Sequence, residues 1–252
     1  MVKSKGALFK PKWTMTVLVM AAVLVFVFLA RWQWHRADEK QALLDWHARQ
    51  LAAPVLVLRG NEDLHAGELR YRRVVVTGIW DSDHQLLWDN RIWRGRAGYE
   101  VLTPLEIEGS RRLVLINRGW VAASGDRSRL PEVSLPRQRV TVRGIIDLFP
   151  QPAMLVPGME LPTRGWPAVV GWVDPQVVSR LLGQEVVNFQ IKLAPDMPEG
   201  YVRQWQLDFI NPRQNIGYAI QWASFALIAL WLWIWHGWQR ARKIRIDRER
   251  HD

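Results

Sequence analysis

Six histidines and 24 carboxylates are the side chains of this 252-residue chain that could hold a metal ion or move a proton, and there is no cysteine. The histidines are scattered at positions 35, 47, 65, 84, 236 and 251. No two stand three to five residues apart, so no metal-ligand pair can be read from their spacing. The missing cysteine excludes thiolate metal sites, iron–sulfur clusters, covalent haem attachment and thiol redox catalysis, and it denies the chain any disulfide. Asp81 with Asp83, and Glu106 with Glu108, stand two apart in strand-like sequence. At that spacing two carboxylates point the same way and could serve acid–base work or a cation. Solvated surface is the more economical reading of both pairs. A nucleophile elbow, a His-Glu-x-x-His run, a phosphate loop and a dinucleotide glycine pattern are all absent. These residues alone describe a protein with no visible active site.

The elements that would position such residues are bracketed by two uncharged apolar runs, Trp13 to Ala30 and Ile216 to Trp235. At about 1.5 Å per helical residue, runs of this length approach or match a hydrocarbon layer of roughly 30 Å. The expected organisation is a cytoplasmic tail (1–12), a transmembrane helix (13–30), an extracytoplasmic domain (31–215), a second transmembrane helix (216–236) and a basic cytoplasmic tail (237–252). A cleaved signal peptide is the rival reading of the first run. That run is long for such a segment, and Phe28 is a poor residue three before a cleavage site at Ala30.

Charge sets the orientation. The chain carries a net +10, of which the N-terminal tail holds +4 and the C-terminal tail +3. Basic residues beside a span stay on the cytoplasmic side, which puts both termini inside and the middle outside. Trp13, Trp32, Trp34, Trp231, Trp233, Trp235 and Trp238 crowd the ends of the two runs, where amphipathic rings sit at headgroup level. The same tails account for the basic balance, so nucleic acid is not an expected partner, while membrane lipid is. Within the second run Ala219, Ala223 and Ala226 line up at i, i+4 and i+7, with Gln221 and Ser224 nearby, a pattern that marks helix–helix contact in a bilayer.

The middle reads as mainly β. Residues 33–51 lack Gly and Pro and carry Leu43, Leu44, Trp46 and Leu51 among charges, which predicts a helix. Strands are expected over 71–80, 85–88, 99–107, 113–116, 139–146 and 184–193, rich in β-branched residues and punctuated by Gly, Pro, Asp and Asn. Asp89-Asn90 reads as a turn. Asp174, Pro175 and Gly183 punctuate a helix over 174–183. The fold expected is a membrane protein with two transmembrane helices flanking one mainly-β (α+β) domain, an antiparallel barrel or sandwich, without internal repeats or a second domain boundary.

An ordered set of motifs adds to this. Trp32–Leu44 (WQWHRADEKQALL), Arg72–Asp81 (RRVVVTGIWD), Trp88–Leu105 (WDNRIWRGRAGYEVLTPL), Leu113–Ala122 (LVLINRGWVA), Val140–Gly144 (VTVRG), Trp166–Asp174 (WPAVVGWVD) and Gly217–Ala226 (GYAIQWASFA) occur in this order between and within the two runs. Over about residues 13–238 the chain resembles the Surfeit-locus-one family, membrane-anchored assembly factors of haem-copper cytochrome c oxidase. The Asn-Arg-Gly-Trp-Val element at 117–121 and the Gly-Tyr-x-Val-x-Thr-Pro-Leu element at 98–105 are its most specific parts.

The resemblance implies a non-enzymatic factor of a bacterial inner membrane, with its central domain in the periplasm. It would assist oxidase biogenesis at the delivery or insertion of haem a. The implied partners are the oxidase catalytic subunit and haem a synthase. The alternative is an anchored scaffold or binding module with no haem role. Some family members are thought to ligate haem a through a histidine three residues before the Tyr of a Tyr-Ala-x-x-Trp element. Here that position is Asn215, a poor ligand for haem iron. The expected haem a vicinity is therefore His35, Arg118, Arg213, Asn215, Tyr218 and Trp222. His35 is the substitute ligand or an ordinary interfacial histidine. Arg118, directly after an apolar strand, needs an acidic partner, a carbonyl cluster or a haem propionate, and Arg91 is similar.

Overall fold

The computed structural model describes residues 9, 11–61, 66–152, 154, 156–205 and 210–249. They form two compact units, one made of Met1–Asp45 with Leu207–Asp252 and the other of Trp46–Gln206. The tails expected at 1–12 and 237–252 lie partly outside the described residues, as does His65.

Helix α1 runs Trp13–Ala52 for 40 residues. It contains no Gly or Pro, and it stops just before Pro54, whose ring disfavours helical backbone in the residue ahead of it. The separate span and helix expected over 13–30 and 33–51 are thus one continuous element. The chain then continues through β1 (Leu56–Leu58), α2 (Ala66–Leu69), β2 (Arg73–Trp80), β3 (Leu86–Trp93), β4 (Arg96–Ile107), β5 (Leu113–Ala122), β6 (Arg139–Asp147), β7 (Ala168–Val170), α3 (Pro175–Leu182), β8 (Val186–Leu193) and α4 (Pro212–Glu249). Both α1 and α4 are long and apolar enough to cross a membrane.

In the first unit the two long helices pair in opposite directions. Thr16 accepts a hydrogen bond from the Trp233 indole at 3.1 Å. Further along α1, Phe26 stacks on Trp222 with ring centroids 5.7 Å apart. Further still, Gln33 meets Asn215. Contacts that climb α1 descend α4, which makes the pair antiparallel. Ala219 and Ala226 are buried in it, so two members of the small-residue stripe pack within the molecule.

The second unit is one eight-stranded sheet in the order β1-β2-β6-β8-β5-β4-β3-β7. The sheet, expected to be antiparallel, is mixed. β1–β2, β3–β7 and β5–β8 pair in parallel, and the other pairs are antiparallel. β4 also pairs back onto β2, through Gly78–Trp80 with Leu105–Ile107. A Cβ at Gly78 would strike the Glu106 carbonyl, so that approach of β2 to β4 requires glycine. Trp80, Leu105, Ile116 and Phe189 lead one core cluster, and Leu86, Leu115, Phe149 and Val178 another. At roughly 1.5–3 kcal/mol per buried large apolar side chain, these clusters are the main stabilising term of the sheet.

Helix α3 forms as its punctuation predicts. The Asp174 carboxylate accepts from Gln176 N at 2.8 Å, and Gly183 closes the helix at φ 67°. The turn expected at Asp89-Asn90 is a bulge inside β3, with a register shift between Trp88 and Arg91 and Asn90 at φ 58°. Asn tolerates left-handed backbone, so the same dipeptide suits a turn or a bulge. β1, α2 and β7 were not expected; at three or four residues each they carry no readable period.

Candidate functional site

The sequence-derived site residues fall in both units. His35, Arg213, Asn215, Tyr218 and Trp222 belong to the helix pair, while Arg118 belongs to the sheet.

In the helix pair, the Asn215 amide is engaged at both ends. Its Nδ2 donates to Gln33 Oε1 at 2.6 Å, and its Oδ1 accepts from Lys40 Nζ at 2.7 Å. Gln33 and Lys40 are seven residues apart and so share one face of α1. Sequence reasoning missed both, because polar partners across a helix pair leave no local signal. Trp222 is likewise occupied, stacked on Phe26 and edge-on to Phe225 at 5.7 Å. Arg213 and Tyr218 are exposed.

His35 sits apart from that cluster. Its side chain is 75% exposed, and Nε2 lies 3.6 Å from Glu39 Oε1. It lines a groove of about 800 Å³ whose walls include Val27, Phe28, Arg31 and Trp32 of α1 and Ala219, Ile220 and Ala223 of α4. The volume falls in the range of cavities that take a large organic ligand, and the lining is mostly apolar with Arg31, His35 and Asp38 as its charged or titratable groups. Tyr218 and Trp222, expected beside His35, do not line it. His35 thus offers an accessible imidazole at an apolar groove, whereas each polar atom of the Asn215 amide already holds a partner on α1.

In the sheet, Arg118 is only 3% exposed. Its guanidinium donates to Glu199 O at 2.7 Å, Gln85 Oε1 at 2.9 Å and Val133 O at 3.0 Å, and it lies 5.1 Å from the centroid of the Tyr201 ring. Of the three partners the residue type called for, the fold supplies the carbonyl cluster. Burial pulls this guanidinium's pKa down from its ordinary value. Beside it, Asn117 donates to Glu100 at 2.6 Å and to Gln190 at 2.8 Å, and Arg91 pairs with Glu100 at 2.9 Å. Thr103 donates to Gln85 at 2.9 Å.

The two most specific sequence elements meet here. Gly119 holds φ 111°, and a Cβ on it would meet Val202 O at 2.6 Å. A Cβ on Gly98 would strike Val121 O and the Trp120 ring. The Trp120 indole donates to Arg91 O at 2.9 Å. Residues 98–105 and 117–121 are neighbours on β4 and β5, and together they build a buried, mutually satisfied polar network. Gln85 and Gln190 complete it from outside those elements and could not be told from surface polar residues by sequence.

Of the paired acids, Asp83 and Glu108 are exposed, while Glu106 and Asp81 are partly buried. Glu108 pairs with Arg139 at 2.7 Å, and that hydrogen bond holds its carboxyl below the usual range. Glu106 lies 3.8 Å from Arg137, and Asp81 meets His84 at 2.8 Å. No group of three or more His, Asp or Glu side chains that could hold a metal ion occurs among the described residues.

The SURF1 family model matches residues 20–227. An uncharacterised SURF1-like protein of Mycobacterium tuberculosis is 28% identical over 228 residues, covering 88% of this chain and 82% of that protein. A SURF1-like protein of Caenorhabditis elegans is 24% identical, covering 92% and 77%. The cytochrome oxidase assembly protein SHY1 of Saccharomyces cerevisiae is 26% identical over 125 residues, which is 48% of this chain and 32% of SHY1.

Proposed function

This chain belongs to the SURF1 family, and on that premise we propose that it assists the assembly of cytochrome oxidase in a bacterial inner membrane. The observation that carries the reading is the family match, together with the similarity to a relative named for oxidase assembly. The chain acts as an assembly factor rather than an enzyme. α1 and α4 anchor it, both termini lie in the cytoplasm, and the sheet unit works in the periplasm on the oxidase catalytic subunit.

The step served is the delivery or insertion of haem a, received from haem a synthase. Haem a is cargo in this reading. His35 would hold it, since its imidazole is accessible beside an apolar groove that also carries Arg31, a partner for a propionate. Asn215 does not fit as a ligand: it is an amide, and both of its ends are spent on Gln33 and Lys40. Deleting the gene should lower oxidase activity and membrane haem a together. Unchanged values of both would reject the assembly role. Loss of activity with normal haem a insertion would keep the assembly role and reject the haem step.

A further inference from the structure

β3 and β4 form a hairpin whose tip is exposed. Trp93 pairs with Arg96, so the loop is Arg94-Gly95, with φ 48° and 76°. Such two-residue turns need positive φ at both central positions, and Asn, Asp or Gly normally supply the first. Arginine there holds a left-handed backbone that its own side chain disfavours. Strain of this kind, when retained, points to a use for the side chain.

What the tip presents is apolar and basic. Ile92 is 76% exposed, and Arg94, Gly95 and Arg96 are exposed with it. The Arg94 guanidinium lies 4.7 Å from the Trp93 ring centroid. The hairpin's acids are already neutralised, Glu100 by Arg91 and Asp89 by Arg127. Arg94 and Arg96 have no ion-pair partner among the described residues. The tip therefore carries uncompensated positive charge around an exposed β-branched side chain and an indole.

We infer that this hairpin tip is a second membrane contact, one that docks on the anionic headgroups of a lipid surface. A basic, aromatic and aliphatic mixture suits the headgroup layer, where cations meet lipid phosphates and the apolar parts enter the acyl boundary. The choice of lipid over an acidic protein comes from the chain itself. The Trp93 indole donates to Gln204 at 3.1 Å, and only seven residues separate Gln204 from Pro212, where a helix long and apolar enough to enter a bilayer begins. The inference rests on the anchoring reading above.

The absence of cysteine makes the test clean. The full chain carrying Ile92→Cys, labelled with an environment-sensitive fluorophore, is placed in nanodiscs of neutral lipid or of mixed neutral and anionic lipid. Insertion is read separately, from co-elution of the chain with the discs. The label should be severalfold less open to an aqueous quencher in anionic discs, and Arg94→Glu with Arg96→Glu should abolish that difference. A label at Arg129→Cys should stay open in both. Equal quenching in the two lipids, or protection that survives the double charge reversal, overturns the inference. Protection gained only when purified oxidase subunits are added overturns it in favour of a protein partner. A chain that co-elutes with neither disc overturns the anchoring reading and this one with it.

Discussion

Asn215 of α4 donates to Gln33 of α1 at 2.6 Å while accepting from Lys40 of the same helix at 2.7 Å. One amide thus clasps two turns of the facing helix. The position at which the sequence resemblance implied a haem ligand is here a structural joint.

Bound haem a should therefore depend on His35. The full chain purified from cells that make haem a should show a weak haem spectrum that His35→Ala removes. Asn215→His should raise the bound haem, since imidazole is a far better iron ligand than an amide. Haem that survives His35→Ala unchanged would place the ligand elsewhere. No gain from Asn215→His would show that the lost histidine does not limit binding.

Arg118→Met should destabilise the sheet unit strongly. It removes the donor to Glu199 O, Val133 O and Gln85, and it leaves those acceptors buried. Leaving a buried acceptor without its donor costs roughly 1–3 kcal/mol. Arg118→Lys should recover only a fraction, because a point ammonium cannot reproduce the guanidinium fork. Chemical denaturation of the full chain, followed by near-ultraviolet circular dichroism, measures both. A shift under about 1 kcal/mol, the worth of one ordinary hydrogen bond, would argue that the network is slack.

Acid should weaken the contact made by His47. Its ring packs edge-on to Tyr71 at 4.6 Å, and burial lowers its pKa from the ordinary value. Asp147 pulls that pKa up and Lys192 pushes it further down, both by less than burial does. The unfolded chain then takes up the proton at higher pH than the folded one. The stability His47 contributes is present above about pH 6.5 and falls as pH drops through the lowered folded value. His47→Gln should flatten the melting-temperature profile as pH falls below about 6.5. An identical slope in the variant would assign the dependence to other groups.

Orientation can be read with reporter fusions. Alkaline phosphatase joined near residue 110 should be active, and joined after residue 245 it should be inactive. The reverse pattern would invert the topology read from the basic tails.

Most of the long elements were legible because their residues state a period or a boundary. α1 has an unbroken run without Gly or Pro, α3 has its Asp174, Pro175 and Gly183 punctuation, and β6 has its alternating valines. Pairing was not legible. Nothing local tells Gln85 that it will meet Arg118, or places β8 between β6 and β5. The motifs that identified the family are also poor guides to where a ligand binds. Asn117, Arg118, Gly119 and Trp120 are needed by the sheet itself, and the accessible groove lies beside His35, which spacing alone left as an ordinary interfacial histidine.

The place of β8 has a consequence for biogenesis. It is the last strand among the described residues, yet it occupies the middle of the sheet, pairing in parallel with β5 and antiparallel with β6. Until residues 186–193 emerge, β5 and β6 each keep an open edge, and the apolar faces that meet Phe189 and Ile191 stay wet. A nascent or truncated chain is then a sticky, edge-exposing sheet rather than a smaller working version. Maturation of the whole unit is withheld until nearly all of it has been synthesised, just before α4 follows.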